Sequence, residues 1–118
     1  MLTILNDKKY TIEDYMKLDD GNRYELIEGE LILVPRPIFK HQIIANRFFA
    51  ALDRFVFMNK LGVVNGDVDV FLGVGDKVIA PDVLFITNER SNIAGELNVQ
   101  GAPDLVVEVL SPSTAMYD

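Results

Sequence analysis

Apolar residues recur at helical spacing over residues 40 to 60, which predicts the longest helix of the chain. Seven of them form one broad arc on a helical wheel, which we expect to be buried against a sheet: Ile44, Ala45, Phe48, Phe49, Leu52, Phe55 and Val56. Lys40, Arg47 and Arg54 form a narrow basic stripe along the border of this arc. His41 lies seven residues before Phe48, so we expect its ring to point towards the buried side at the helix start.

The region before this helix predicts a short helix and a hairpin. Thr11 and Asp14 have the spacing of a capping box and open a helix to about residue 18, which ends at the turn of residues 19–21. Two short strands are predicted within residues 23–34, around Glu28-Gly29-Glu30, and Pro35 and Pro37 end this hairpin. The chain therefore enters the long helix from a small N-terminal hairpin.

The region after Gly62 predicts strands. Residues 63–72 and 77–87 each read as one strand with a glycine-rich turn between them, and residues 88–101 are polar and irregular. Residues 105–110 are apolar except for Glu108, which is typical of a central strand covered on both faces. The predicted fold class is α+β, with a mixed central sheet on which the long helix packs.

The composition fits one globular domain over residues 1–118, because 49% of the 118 residues are hydrophobic and 25% are charged. The absence of cysteine excludes disulfides, zinc ribbons and cysteine nucleophiles, and the single histidine excludes two-histidine metal motifs. No apolar run approaches the roughly 20 residues of a membrane span, and no leader precedes the first element. We therefore expect a soluble cytoplasmic protein.

The charge is unevenly distributed along a chain of net charge −7. Between residues 36 and 60 five basic residues accompany one acid, Asp53, whereas from residue 80 onwards Arg90 is the only basic residue among six acids. This asymmetry suits a phosphate-facing helix beside a carboxylate-rich metal pocket. Solvated charge on unrelated faces is the alternative.

Two carboxylates interrupt apolar strands and are the strongest chemical candidates. Asp82 lies at the entry to an otherwise apolar strand, and Glu108 lies within the last apolar run. A carboxylate buried without a partner costs several kcal/mol, so we expect Glu108 to face a cation or a hydrogen-bond donor. If the two strands are adjacent, Asp82 and Glu108 can converge on one divalent ion. A glutamate satisfied by arginine or backbone amides is the alternative.

Four segments together resemble a known family: residues 23–31 (RYELIEGEL), His41-Gln42, residues 81–85 (PDVLF) and residues 101–114 (GAPDLVVEVLSPST). They resemble, in order and spacing, the bacterial Uma-two family, a group assigned to the endonucleases within the PD-(D/E)xK restriction-endonuclease-like superfamily. The resemblance covers nearly everything after Thr11 and implies a restriction-endonuclease-like core.

The resemblance also implies a site and a reaction. Asp82 and Glu108 match the metal ligands of the superfamily, and the implied cofactor is Mg²⁺ or Mn²⁺. His41, Glu25 and Glu30 match positions typical of the family and are expected in the same pocket. The implied activity is metal-dependent hydrolysis of DNA phosphodiester bonds. We add the hypothesis that the basic stripe contacts the phosphate backbone of the nucleic acid.

The chain also departs from the superfamily pattern. Leu110 stands where the superfamily has a lysine, two residues after Glu108. In this family the resemblance implies that a helix after the Ser-Pro-Ser block supplies the lysine, beyond Asp118, together with a last strand. Lys77 is the candidate substitute for this lysine within the chain. The rival hypothesis is therefore an inactive nuclease-like domain that serves as a binding or assembly module. We also expect the apolar strand at residues 105–110 to expose an edge, which favours a homodimer or an exchange of elements between two chains.

Overall fold

The structure is a computed structural model that describes residues 9–73 and 76–110. Its helices are α1 (Ile12–Met16), α2 (Phe39–Met58) and a 3₁₀ helix (Asn88–Ile93). Its strands are β1 (Tyr24–Ile27), β2 (Glu30–Leu33), β3 (Gly62–Asn65), β4 (Val70–Leu72), β5 (Lys77–Ile79), β6 (Val83–Thr87), β7 (Val99–Gln100) and β8 (Leu105–Val107). None of the described helices is long and apolar enough to cross a membrane.

The short N-terminal elements form as the sequence predicts. Thr11 and Asp14 make both hydrogen bonds of the capping box at the start of α1. Strands β1 and β2 pair in antiparallel register, with Tyr24 opposite Leu33 and the Glu28-Gly29 turn between them. Both turn residues have positive φ, 50° for Glu28 and 84° for Gly29, which is the backbone of a type I′ hairpin turn.

The strands form two sheets. The first is mixed and has the order β2-β1-β5-β4-β7, in which β4 and β7 are parallel. The second has the order β3-β6-β8 and is antiparallel. The predicted α+β class with a mixed sheet and a helix packed on a sheet is confirmed.

Two of the predicted strands are wrong in extent. Residues 63–72 form β3 and β4, which belong to different sheets, and residues 77–87 form β5 and β6. The break between β5 and β6 falls at Ala80-Pro81-Asp82, where Pro81 has no N–H to donate to a neighbouring strand. The break between β3 and β4 contains Asp67, whose φ of 56° is incompatible with a strand.

The core has two buried clusters, one on each face of the five-stranded sheet. Leu26, Phe71 and Val78 lie in the cluster that packs against α1. The second cluster joins Val70 of this sheet to Leu84 and its neighbours on the three-stranded sheet. Helix α2 contacts β3 and β6 of the three-stranded sheet. The three-stranded sheet therefore contacts both the five-stranded sheet and α2.

Helix α2 is confirmed, but the burial predicted for its apolar arc is wrong. Only Ala45 and Val56 of the helix are buried, whereas Phe48 is 48% exposed and Phe55 is 60% exposed. The physical reason is the narrowness of the surface beneath the helix, because α2 packs on two short strands and the rest of its arc extends past them.

The predicted burial of the last strand is also wrong. β8 pairs with β6 at the edge of the three-stranded sheet, and Leu105 and Val106 are more than two fifths exposed. Glu108 follows β8 and is exposed, so the desolvation argument made for it from the sequence does not apply. The exposed apolar edge itself is as predicted.

Candidate active site

A cleft of about 600 Å³ opens between the β1–β2 hairpin, the first half of α2 and the ends of β6 and β8. Its charged and polar lining residues among those described are Arg23, Glu25, Arg36, His41, Gln42, Asn46, Asn65, Asp67, Asp82 and Glu108. We call this space the cleft. It contains four of the five residues that the resemblance suggests for the site.

The pairing of β6 with β8 brings the two candidate metal ligands to one place. The pairing ends at Val83 and Val107; Asp82 precedes Val83 and Glu108 follows Val107, so both lie at the same end of the strand pair and both line the cleft. Carboxylates at one end of two adjacent strands can converge on one divalent ion. The adjacency of strands on which the sequence argument depended is therefore present.

Asp82 is held from two directions by one of its oxygens. Its Oδ2 accepts a hydrogen bond of 2.7 Å from the backbone N–H of Val109, just past β8. The same oxygen lies 3.3 Å from Nε2 of His41 at the start of α2. The carboxylate side chain is 20% exposed, so it is fixed in position and still reachable from the cleft.

The backbone of Asp82 is fixed by a close approach to Gly66. A Cβ placed on Gly66 would lie 2.6 Å from the carbonyl oxygen of Asp82, a distance that real Cβ atoms essentially never show. The N–H of Asp67 also donates to the carbonyl of Pro81 at 3.2 Å. The loop after β3 therefore packs directly on the Pro81-Asp82 backbone, and the absent side chain of glycine permits this packing.

The hairpin contributes Glu25 to the cleft, and Glu30 does not line it. Oε2 of Glu25 accepts a 3.1 Å hydrogen bond from the N–H of Ala80, so β1 is tied to the segment that carries Asp82. Glu30 lies nearer the hairpin turn, 3.8 Å from Nζ of Lys9. Glu30 is not among the residues that line the cleft, although it pairs with Ile27, which is, so its expected place in the pocket stays a prediction.

His41 lies in the cleft with both ring nitrogens facing oxygen atoms. Its side chain is 12% exposed, with Nε2 near Asp82 and Nδ1 3.1 Å from Oε1 of Gln42. A neutral imidazole can donate to only one of these two acceptors. The ring can therefore donate from Nε2 to Asp82 in one tautomer, or from Nδ1 to Gln42 in the other.

The far end of the β6–β8 pair is fixed by Asp104. Its carboxylate accepts a 2.8 Å hydrogen bond from the N–H of Thr87, and its own N–H donates to Phe85. The hydrogen bond from Thr87, together with the nearby Arg90, holds the pKa of Asp104 below its ordinary value. Asp104 at one end and Asp82 at the other therefore anchor the pairing of β6 with β8 twice.

The basic residues predicted to contact nucleic acid lie elsewhere on α2. Lys40, Arg47 and Arg54 are exposed and none of them lines the cleft. The α2 residues that line the cleft are His41, Gln42, Ala45, Asn46 and Phe49. Lys77, the suggested substitute lysine, lies on β5 and does not line the cleft either.

Arg23 and Arg36 line the cleft, although no motif in the sequence marks either as a site residue. The guanidinium of Arg23 pairs with Asp67 at 2.7 Å, and Arg36 lies on the connection between β2 and α2. The available signal for Arg36 was its place between two prolines in a loop joining a strand to a helix, since loops on a rigid scaffold often carry function.

A second concavity of about 440 Å³ lies beside α1. Its lining includes Tyr15, Tyr24 and Asp69, and the hydroxyl of Tyr15 donates to Asp69 at 2.9 Å. Burial, reinforced by this hydrogen bond, raises the pKa of Tyr15 well above its ordinary value. This concavity does not contain the paired carboxylates of the cleft.

The donor set fits a hydrated divalent ion. Within residues 9–73 and 76–110, no group of three or more histidine and carboxylate side chains is arranged to hold a metal by itself. Mg²⁺, however, commonly binds through one or two carboxylates and completes its shell with water and substrate oxygens. Asp82 and Glu108 match that requirement, and oxygen ligands suit Mg²⁺ and Mn²⁺.

Comparisons with known proteins agree with this architecture. The chain is similar to the crystal structure of a "putative nuclease belonging to DUF820" from Anabaena variabilis, with a TM-score of 0.72 and 24% identity. The likeness covers 87% of this chain and 59% of that protein, and it confirms the predicted nuclease-like fold. No curated protein matches the chain.

The Uma2 family, described as "Putative restriction endonuclease", matches residues 12–118. Because this match extends over most of the sequence, the chain belongs to the Uma2 family.

Proposed function

We propose that the protein is a metal-dependent endonuclease that hydrolyses DNA phosphodiester bonds in the cleft. The observation that carries this proposal is the pairing of β6 with β8, which brings Asp82 and Glu108 to one end of the strand pair in the cleft that also holds His41. Membership of the Uma2 family and the nuclease-like fold support the same reaction.

Asp82 and Glu108 are the proposed ligands of Mg²⁺ or Mn²⁺. Because Oδ2 of Asp82 is engaged by Val109 and His41, Oδ1 is the oxygen that the cation would use. The bound cation supplies positive charge that offsets the negative charge growing on the phosphate oxygens during hydrolysis. The charge of the cleft also favours a cation, since its described lining has four carboxylates and two arginines.

Glu25 and His41 are proposed to act through Asp82. Glu25 holds the N–H of Ala80, and His41 holds the carboxylate of Asp82 from the helix side. Such outer contacts fix the direction in which a metal ligand points, and their removal commonly costs 10- to 100-fold in metal affinity or activity. His41 can in addition hold or move a proton at Nε2.

A plasmid-nicking assay with Mg²⁺ or Mn²⁺ tests the reaction. We expect the unaltered chain to nick, and we expect Asp82→Asn or Glu108→Gln to reduce the rate by roughly a hundredfold or more. Glu96→Gln is the matched control, because Glu96 is exposed and lies outside the cleft. Nicking by the Asp82 and Glu108 variants at the same rate as by the unaltered chain would contradict the proposal.

An inactive binding or assembly module is the second candidate. The observation in its favour is that none of the described residues lining the cleft is a lysine, the residue that the superfamily uses near the phosphate. Metal binding by the unaltered chain without nicking would support this candidate over the endonuclease.

We also propose that the chain forms a homodimer through the edge of β8. This strand pairs with β6 on one side, and its Leu105 and Val106 are 44% and 42% exposed. Unpaired apolar edge strands are ready templates for pairing with a second chain. Light scattering at micromolar protein should give a dimer, and Val106→Lys should shift it to monomer. A stable monomer before substitution would contradict this proposal.

A further inference from the structure

The positive charge in the cleft is provided by few residues. Among the described lining residues, Arg23 and Arg36 are the arginines, and His41 is the only other group that can become cationic. Arg23 is already paired, because its guanidinium lies 2.7 Å from Oδ1 of Asp67. No ion pair joins Arg36 to an acid in the described part of the chain. Arg36 is therefore the cleft guanidinium that a ligand can engage without breaking an ion pair.

The backbone presents Arg36 on a stiff segment. Pro35 precedes it and Pro37 follows it, so one ring fixes the preceding φ and the other restricts Arg36 to extended conformations. The N–H of Val34 donates to the carbonyl of Arg23 at 2.9 Å, which ties the start of this segment to β1. Helix α2 begins at Phe39 and ties down its other end. Little backbone entropy is therefore lost when a ligand engages Arg36.

The chemistry of a guanidinium defines the ligand. Its planar fork donates two parallel hydrogen bonds to a phosphate group and keeps its charge at every physiological pH. The cleft also carries Glu25, Asp82 and Glu108, which repel a polyanion. A polyanionic substrate therefore needs a cationic contact in the cleft besides any bound metal ion.

We infer that Arg36 binds a backbone phosphate of the nucleic acid in the cleft, and that the exposed basic stripe of α2 does not provide this contact. This inference rests on the proposed function, since it assumes that the cleft receives a nucleic acid. It assigns to Arg36 a substrate-positioning role at the site of Asp82 and Glu108.

Fluorescence anisotropy with a labelled DNA duplex, in Ca²⁺ and at several salt concentrations, tests the inference. We expect Arg36→Gln to weaken binding about tenfold and to reduce the slope of log affinity against log salt by about 0.9, the value for one lost phosphate contact. Lys17→Gln is the matched control, because it removes the same charge from an exposed residue outside the cleft. Calorimetry with Mn²⁺ should show unchanged metal binding by Arg36→Gln.

The outcomes separate the inference from the proposed function. Unchanged DNA binding by Arg36→Gln, or equal weakening by Lys17→Gln, would overturn the inference and leave the proposed endonuclease in place. If DNA binding weakens only when Lys40, Arg47 and Arg54 are neutralised together, the basic stripe makes the phosphate contact and the inference about Arg36 is overturned. Failure of the unaltered chain both to bind DNA and to nick plasmid would overturn the proposed function and the inference with it.

Discussion

Substitution of Gly66 by alanine should displace the backbone that carries Asp82. The added Cβ would lie 2.6 Å from the carbonyl oxygen of Asp82, about 0.8 Å short of ordinary van der Waals contact. The group that it meets is backbone, so no side-chain rotation can relieve the clash. The nearest side-chain atom to the new methyl is Cδ2 of Phe49, at an ordinary 3.8 Å.

The expected free-energy change is the balance of two terms. Overpacking of this kind typically costs about 1–3 kcal/mol. Replacement of glycine by alanine stabilises a protein by about 0.4–1 kcal/mol when the backbone tolerates it, because the unfolded chain loses freedom. If the shift also breaks the Val109–Asp82 hydrogen bond, about 1 kcal/mol more is lost. We therefore expect Gly66→Ala to destabilise the fold by about 1–3 kcal/mol.

Gly73→Ala is the matched control for this prediction. A Cβ on Gly73 meets nothing within 4 Å, so the overpacking term vanishes and stability should be unchanged or slightly raised. Urea unfolding followed by circular dichroism measures the stability of both variants. Calorimetry with Mn²⁺ should show 10- to 100-fold weaker metal binding by Gly66→Ala and unchanged metal binding by Gly73→Ala. Equal stability and equal metal affinity of the two variants would refute the argument that Gly66 positions Asp82.

Two further predictions concern the core and α1. Leu26 is fully buried, so Leu26→Ala should lower the free energy of unfolding by about 2–5 kcal/mol. Leu97→Ala is the control, because this side chain is 87% exposed and its loss should change the free energy of unfolding by less than about 0.5 kcal/mol. Equal urea midpoints of the two variants would contradict the assigned core. Because burial and Asp69 raise the pKa of Tyr15 above its value in the unfolded chain, its contribution to stability is complete below pH 10.0 and should be lost as the pH rises further. Stability measured across that range should fall less steeply in Tyr15→Phe, and identical pH profiles would show that Tyr15 is not linked to folding.

The local elements could be predicted because their signals are local. The capping box at Thr11, the Glu28-Gly29 turn and the helical periodicity of residues 40–60 each depend on residues close in sequence, and the structure has all three. The sequence did not predict that the strands beside Asp82 and Glu108 are adjacent, because strand adjacency depends on contacts between residues distant in sequence. The shared metal site could therefore be predicted only on the assumption that these strands pair.

The errors arose where tertiary packing decides the outcome. The apolar character of Phe48 and Phe55 did not show how wide a surface α2 would cover, and the apolar run at residues 105–110 did not show that β8 is an edge strand. Arg36 lacks any periodic signal, so its place in the cleft emerged only from the structure.

Calorimetric titration with Mn²⁺ tests the central claim most directly, because the claim is that Asp82 and Glu108 form one metal site. The unaltered chain and the Asp82→Ala, Glu108→Ala double variant are titrated in parallel, after circular dichroism has shown that both are folded. We expect one binding event in the unaltered chain and none in the double variant. Absence of binding by the unaltered chain, or equal binding by both proteins, would contradict it.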